Sequence, residues 1–429
     1  MLNSVICITC LITRSYNKNY FFRYVILIKL VKTCNNLIKI NKKIVFFQKI
    51  LLFCILIIYQ ASNNLLIFIY MDTLSILNDN FVYSLVGENI VGYIISAVII
   101  IIFITIYALA TILAELKISA WMQRRVGPWR NTYHGIGQPL LEVIKLLQKE
   151  DTTPSRADKI LFNIAPFLVF MGTLMAFAAL PFAPRFIPSE LNVGLYYVFA
   201  VSAFCVVGII IGGWASHNKY SLLGGLRSAA QMVSYEIPIS IVLLSMAVLT
   251  GSLEMREIVQ SQNGWFWNWN IFGGAEGGLM KLAVMPFTVG LFLIYFTASL
   301  AETNRVPFDL PEGESEIVAG YSTEYSGMKY AMFYLAEYAN MFVVAALITV
   351  MFLGGWNSPF GANLSDAHPD IYQPFWFIIK VAVIIFLQIV IRWTLPRLRI
   401  DQVMHVTWKV LVPCGLVCLL VVAFYTMMI

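Results

Sequence analysis

The feature that most limits what this chain can become is a succession of apolar runs. Each is close to or above the roughly 20 residues that a helix needs to cross a bilayer. Stretches with at most one charged residue predict eight of them: Val91–Leu113, Ile160–Pro181, Gly194–Ala215, Ser234–Ser252, Leu282–Ala301, Tyr330–Gly354, Phe375–Ile391 and Val410–Tyr425. Lipid offers no partner to backbone N–H and C=O groups, so only helices and closed barrels cross it. The short alternating segments of a barrel are absent. The expected fold is all-α, a polytopic transmembrane bundle of about eight helices. Composition agrees: 12% of the residues are charged, against about 25% in a soluble domain.

Eight spans place successive connections on alternate sides. The loops 114–159, 216–233, 302–329 and 392–409 hold 16 Lys or Arg, whereas the opposite segments 72–90, 182–193, 253–281 and 355–374 hold 3. Such an excess marks the cytoplasmic side, so from Met71 onward both termini are expected outside. Within the first loop, GQPLLEVIKLLQK (137–149) sets Leu140, Leu141, Ile144 and Leu147 at helical spacing opposite Glu142, Lys145 and Lys149. That pattern predicts an amphipathic helix, with Pro139 in its first turn, lying on the membrane surface or docked on a partner.

Residues 1–70 differ from the rest. They hold nine Lys or Arg, no acid, no Gly and no Pro, and the first acid is Asp72. The expectation is that Met71 opens a single transmembrane domain, 71–429, and that 1–70 is upstream sequence read as protein. The alternative is a basic, membrane-associated extension. Four of the seven cysteines fall in this stretch. Cys205, Cys414 and Cys418 lie in apolar helices, where packing is the simplest role.

Three acids sit where membrane helices rarely tolerate them: Glu236, Glu302 and Glu337. A carboxylate at that depth is costly unless it is paired, hydrated or protonated. These groups are therefore candidates for exchanging protons, or else are satisfied by a neighbouring helix. Beside them runs ETNRVPFDLPEGESEIVAGYSTE (302–324), with Glu302, Asp309, Glu312, Glu314, Glu316 and Glu324 against the single Arg305. Crowded carboxylates titrate together. The interleaved Val306, Phe308, Leu310, Ile317, Val318 and Tyr321 imply a partly buried segment rather than a solvated loop. Arg124, Arg125, Arg130, Arg227, Arg392, Arg397 and Arg399 are available as counter-ions. No Walker loop is present, GGAEGG (273–278) is not a dinucleotide fingerprint, and three late cysteines with four histidines do not build an iron–sulfur cluster or a haem pair. Any electrons must come from another chain.

The stretches GWASHNKYSLLGGLRSAAQMVSYE (213–236), AETNRVPFDLPEGESEIVAGYSTEYSG (301–327), FYLAEYANM (333–341) and PRLRIDQVMHVTWK (396–409) carry a family likeness. Over residues 90–412 the chain resembles the membrane subunits of proton-pumping NADH–quinone oxidoreductase (complex I) known as the H subunit in bacteria and subunit 1 in mitochondria. The resemblance implies a translocase subunit without its own redox centre, forming the quinone chamber and the start of a proton-coupling path. It implies ubiquinone or menaquinone as substrate, with NADH, flavin and iron–sulfur clusters on partner subunits. The implied partners are peripheral-arm quinone-site subunits, membrane-arm pump subunits and lipid, with no nucleic acid. The implied location is the bacterial cell inner membrane or, alternatively, the mitochondrial inner membrane.

By motif position, Gln123, Arg125, Arg227, Arg305, Asp309 and Arg392 match the family's quinone chamber. Glu236, Glu302, Glu312, Glu314, Glu316, Glu324 and Glu337 match its proton path. Gly127 and Pro128 complete the first-loop pattern Q-x-R-x-G-P. Two positions depart from the pattern: Leu116 replaces the arginine of an E-R-K triplet, and Trp129 follows Gly127-Pro128 where the family has asparagine. Both put headgroup contacts at the tunnel mouth in question. Two other readings stay open, a homologous subunit of a membrane-bound hydrogenase or other donor–quinone dehydrogenase, and a stand-alone proton or ion transporter.

Overall fold

The computed structural model describes residues 90–130, 133–274, 278–311, 313–361 and 369–428. The expectations for residues 1–70 and for Glu312 lie outside them. Helices α1 (Ile90–Met122), α2 (Gln138–Gln148), α3 (Lys159–Ala178), α4 (Gly194–Ala215), α5 (Lys219–Thr250), α6 (Met255–Gln260), α7 (Lys281–Glu302), α8 (Glu314–Ile317), α9 (Gly327–Phe352), α10 (Pro369–Thr394), α11 (Ile400–Val406) and α12 (Val412–Met428) follow in order. A π-helical turn, Thr407–Leu411, fuses α11 to α12. Among the described residues eight helices are long and apolar enough to cross a membrane, α11–α12 counting as one.

The eight spans agree with the sequence reading, but several boundaries do not. Helix α5 begins at Lys219, fifteen residues before the predicted Ser234, so the predicted loop 216–233 is almost wholly helical. Lys219 and Arg227 interrupt the apolar run. The helix forms regardless, because Asn218 caps it by accepting from the Tyr220 amide (3.0 Å) and Leu, Ala, Gln and Met carry it forward. For the same reason α1 runs on past Glu115 and Lys117 to Met122. Helix α10 also outruns its predicted ends, and α11 occupies much of the predicted 392–409 loop. The amphipathic helix appears as α2, with Leu140, Leu141, Ile144 and Leu147 exposed within this chain.

Helix α9 is the axis of the bundle. Of its most apolar window 89% is buried, against 17% for α1, which places α9 inside and α1 at the rim. From Tyr338 to Phe352 every residue is buried, as expected of a helix that is apolar all round. Helices α3, α1 and α10 pack against it, while α4 joins α3 to α5, and α5 carries α7 and α12. Where α10 crosses the end of α9, Lys380, 8% exposed, donates to the carbonyls of Leu353 (2.6 Å), Gly355 (3.0 Å) and Asn357 (2.6 Å). An ammonium there satisfies acceptors that the helix terminus leaves open.

Small residues set the closest approaches, as is usual between membrane helices. A Cβ at Gly224 of α5 would stand 2.6 Å from Gly320 Cα and 2.7 Å from Tyr321 N. Both are backbone atoms, so no side-chain rotation relieves the clash. Gly224→Ala is therefore expected to push the 320–321 turn off α5, at a cost of roughly 1–3 kcal/mol for overpacking. The thermal midpoint of the purified assembly should fall by several degrees. An unchanged midpoint would show that the turn is free to move.

Candidate functional site

Helix α7 ends at Glu302, and the chain turns there through Asn304, whose φ of 52° is one that asparagine tolerates. The Arg305 amide bonds back to Leu300 O (3.1 Å), and Gln231 of α5 clamps the turn by donating to Ala301 O (2.8 Å) and Asn304 Oδ1 (3.3 Å). This tucks Arg305, 3% exposed, into the bundle. Its Nη1 donates to both oxygens of Glu115 on α1 (3.0 and 2.9 Å). Its Nε lies 2.7 Å from Glu337 Oε1 on α9. Arg392 of α10 also donates to Glu115. Tyr338 donates to Glu115 Oε2 (2.6 Å), and its ring lies 4.6 Å from the Arg305 guanidinium carbon. Tyr334 stands 3.2 Å from the Tyr338 hydroxyl.

Two carboxylates and two guanidiniums thus form a neutral cluster drawn from three helices and one loop. Burial opposes the charge on Arg305, but the adjacent Glu337 and Glu115 carboxylates outweigh it and hold the guanidinium above its ordinary value. Asp309, half-buried, lies close enough for its charge to act on Glu337.

The cluster continues through two small cavities. One, of ≈ 30 Å³, is lined by Glu337, Asn340, Glu302 and Asn304. The other, of ≈ 10 Å³, is lined by Glu302, Asn340, Ser202 and Glu236. Glu302 and Asn340 border both. A water needs on the order of 10–15 Å³ of such space, so the larger cavity accommodates one or two and the smaller is at the limit. Among the described residues neither Glu236 nor Glu302 makes an ion pair. At Glu236 the helix is also opened, since Pro238 removes the N–H that would bond the Ser234 carbonyl. The line Glu236–Glu302–Glu337–Arg305–Glu115–Arg392 therefore runs through the bundle, its first three acids joined by spaces of water size and the rest by the guanidiniums of Arg305 and Arg392.

The remaining sequence candidates lie outside this line. Arg227 donates to Glu316 at 2.5 Å, with side chains 30% and 54% exposed. Glu324 accepts from Asn218 (2.6 Å). Gln123 and Arg125 lie on the exposed turn after α1. Near that turn, Lys117 donates to Pro128 O (2.7 Å) and lies over the Trp129 ring, which also meets His134. The backbone of Glu314 opens α8, and its side chain is not among those described. In the acidic loop Phe308, Leu310, Ile317 and Tyr321 are buried as expected, whereas Val318 is 59% exposed. Sequence reading missed Glu115 and Tyr338 as members of the site. The available signal was that apolar periodicity resumes after Glu115 in Ile118, Ala120 and Trp121, which puts this acid inside a helix.

The Arg227 hydrogen bond, and then its charge, hold the Glu316 carboxyl below the usual carboxylate range. A depressed carboxylate contributes stability above its unfolded value and loses it as pH falls through the folded one. The pair is expected to be closed at pH 7 and to open as the pH falls through the folded value, below the usual carboxylate range. Hydrogen exchange of the 313–319 peptide should be slower in the wild type than in Arg227→Gln at pH 7, and the difference should vanish in acid. A difference that persists below that pH would contradict the assignment.

Fold and site together define a class, that of polytopic membrane proteins with a buried line of carboxyls and guanidiniums. The model of the family described as NADH dehydrogenase matches residues 95–423. The chain is 49% identical over 348 residues to the H subunit of the NADH-quinone oxidoreductase of Chlorobaculum tepidum, covering 79% of this chain and 94% of that one. It is 50% identical over 342 residues to the corresponding H subunit of Chlorobium luteolum (78% and 89% covered) and 44% identical over 316 residues to that of Caulobacter vibrioides (73% and 88%). The chain belongs to the NADH dehydrogenase family.

Proposed function

We propose that this chain, as the H subunit of an NADH–quinone oxidoreductase, walls the quinone chamber and starts the path that couples quinone reduction to proton transfer. The observation that carries this reading is the buried cluster of Glu115, Arg305, Glu337 and Arg392, prolonged through two water-sized cavities to Glu302 and Glu236. Reduction of a quinone to a quinol consumes two electrons and two protons. The electrons arrive from partner subunits that hold the flavin and iron–sulfur clusters. This chain's part is electrostatic. A charge change beside Asp309 and Arg305 alters the balance of a cluster in which each carboxylate shares a guanidinium, and proton occupancy responds along Glu337, Glu302 and Glu236.

Successive spans alternate direction, so the end of α1, the start of α5, the end of α7 and the start of α9 share one end of the bundle. There the exposed Arg227–Glu316 pair, Gln123 and Arg125 form a charged face suited to a peripheral-arm partner. Ubiquinone and menaquinone both fit this reading, and the location that goes with it is a bacterial inner membrane. A photoreactive quinone bound to the intact assembly is expected to label peptides from residues 301–327, with unlabelled quinone competing. Labelling confined to other subunits would overturn the chamber assignment.

A further inference from the structure

Away from the glutamate line lies a cavity of about 400 Å³, walled by Leu249, Thr250 and Gly251 at the C-terminus of α5, by Ser261 and Asn270, and by Tyr425 near the end of α12. It is far larger than a lone ion needs and falls in the range of small-molecule sites. None of its described lining residues is charged.

Its hydrogen-bonding character is one-sided. The Thr250 hydroxyl donates to Met246 O (2.9 Å), that of Ser261 to Ile258 O (2.9 Å), and that of Tyr425 to Gly273 O (3.3 Å). The amides of Gly251, Ser261 and Gly273 bond to the carbonyls of Ala247, Glu257 and Asn270. The donors of the wall are therefore spent inside the protein. Asn270, 2% exposed, donates from Nδ2 to Met351 O (3.0 Å), which fixes its amide orientation, and its Oδ1 receives no hydrogen bond from the described residues. The lone pairs of the Thr250 and Ser261 hydroxyls, this Oδ1 and the last carbonyls of α5 face the cavity. The C-terminus of a helix adds partial negative charge. Such a site takes a cationic donor with no acceptor of its own, which is the description of a primary ammonium.

The position of the cavity names the source. It opens at the end of two spans, and the segment that joins Ser261 to Asn270 in its wall carries the exposed Trp265 and Trp267, the residue type that marks the headgroup level of a bilayer. Leading to it are exposed apolar stripes, Leu244 and Val248 on α5 and Leu420, Phe424 and Met428 on α12. These residues lie at i, i+4 spacing on helices that pack together. They supply a bed for acyl chains below a seat for the headgroup. We infer that this cavity binds the ammonium headgroup of a phosphatidylethanolamine molecule.

The test uses the intact assembly in lipid nanodiscs and a phosphatidylethanolamine carrying a photoactivatable group. Cross-links are expected on the peptides that contain Val248–Gly251 and Phe424–Met428. Unlabelled phosphatidylethanolamine should compete at least tenfold better than phosphatidylcholine, whose quaternary nitrogen donates no hydrogen bond, or phosphatidylglycerol. Thr250→Lys, which brings its own ammonium, should lower cross-linking at least tenfold. Equal competition by the three lipids, or labelling absent from those peptides, would overturn the site. So would a cross-linker on Ser261→Cys that captures a segment of a neighbouring subunit. Should Thr250→Lys fail to assemble, headgroup competition in the wild type decides alone.

Discussion

Arg305→Leu is expected to leave no active assembly. The guanidinium touches Glu115 and Glu337 at once, and its removal strands the Glu337 carboxylate inside the bundle and leaves Glu115 with Arg392 alone. Breaking a buried ion pair by deleting one partner typically costs about 3–5 kcal/mol, a large share of what holds a folded domain together. Arg392 reaches Glu115 but leaves Glu337 without a cation. Arg305→Lys separates charge from geometry. A lysine restores the charge but not the planar fork that serves two carboxylates from different sides, so partial assembly with activity well below wild type is expected. Native gel analysis of membranes, followed by NADH–quinone turnover of whatever assembles, reads both effects. Normal assembly and turnover in Arg305→Leu would mean that the cluster is not needed to hold α1, α9 and the α7 turn together.

The second large effect is expected from Glu236→Gln and Glu337→Gln, which keep side-chain shape and remove the capacity to ionise. Glu236 makes no ion pair among the described residues, so its amide should be structurally silent, and loss of function there reports on proton transfer. Glu337 is paired with Arg305, so its amide also leaves a surplus positive charge, and assembly must be measured beside activity. Both variants are expected to assemble and to lose at least tenfold in quinone turnover with proportionate loss of pumping, a barrier increase of about 1.4 kcal/mol or more. Variants that assemble with full turnover and full pumping would remove these residues from the path. The Glu236 variant is the sharper of the two, because nothing in its packing offers a structural explanation for a defect.

The identities of Glu236, Glu302 and Glu337 were legible in the sequence because an acid inside an apolar run is rare and costly. Glu115 was not. It sits two residues beyond the predicted end of the first span at Leu113 and two before Lys117, and reads as part of the 114–159 loop. The structure shows that α1 continues for seven residues beyond it and that the charge is matched inside the bundle. The same criterion hid the first fifteen residues of α5, a segment that brings Gln231 to the α7 turn and Arg227 to Glu316. Charge marks a helix end in lipid only where no opposite charge waits within the protein, and that condition is not a property of the local sequence.

What this sequence settles by itself is the number of spans and the all-helical class. Both follow from a requirement that every span meets alone, namely that lipid accepts a backbone only when its own helix satisfies it. What only the tertiary structure decides is which charges meet. Glu115 is 190 residues from Arg305, 223 from Tyr338 and 277 from Arg392. Their adjacency depends on how α1, α9 and α10 pack around the α7 turn. Packing of that kind rests on many small contacts among apolar and glycine surfaces, and no single segment encodes it.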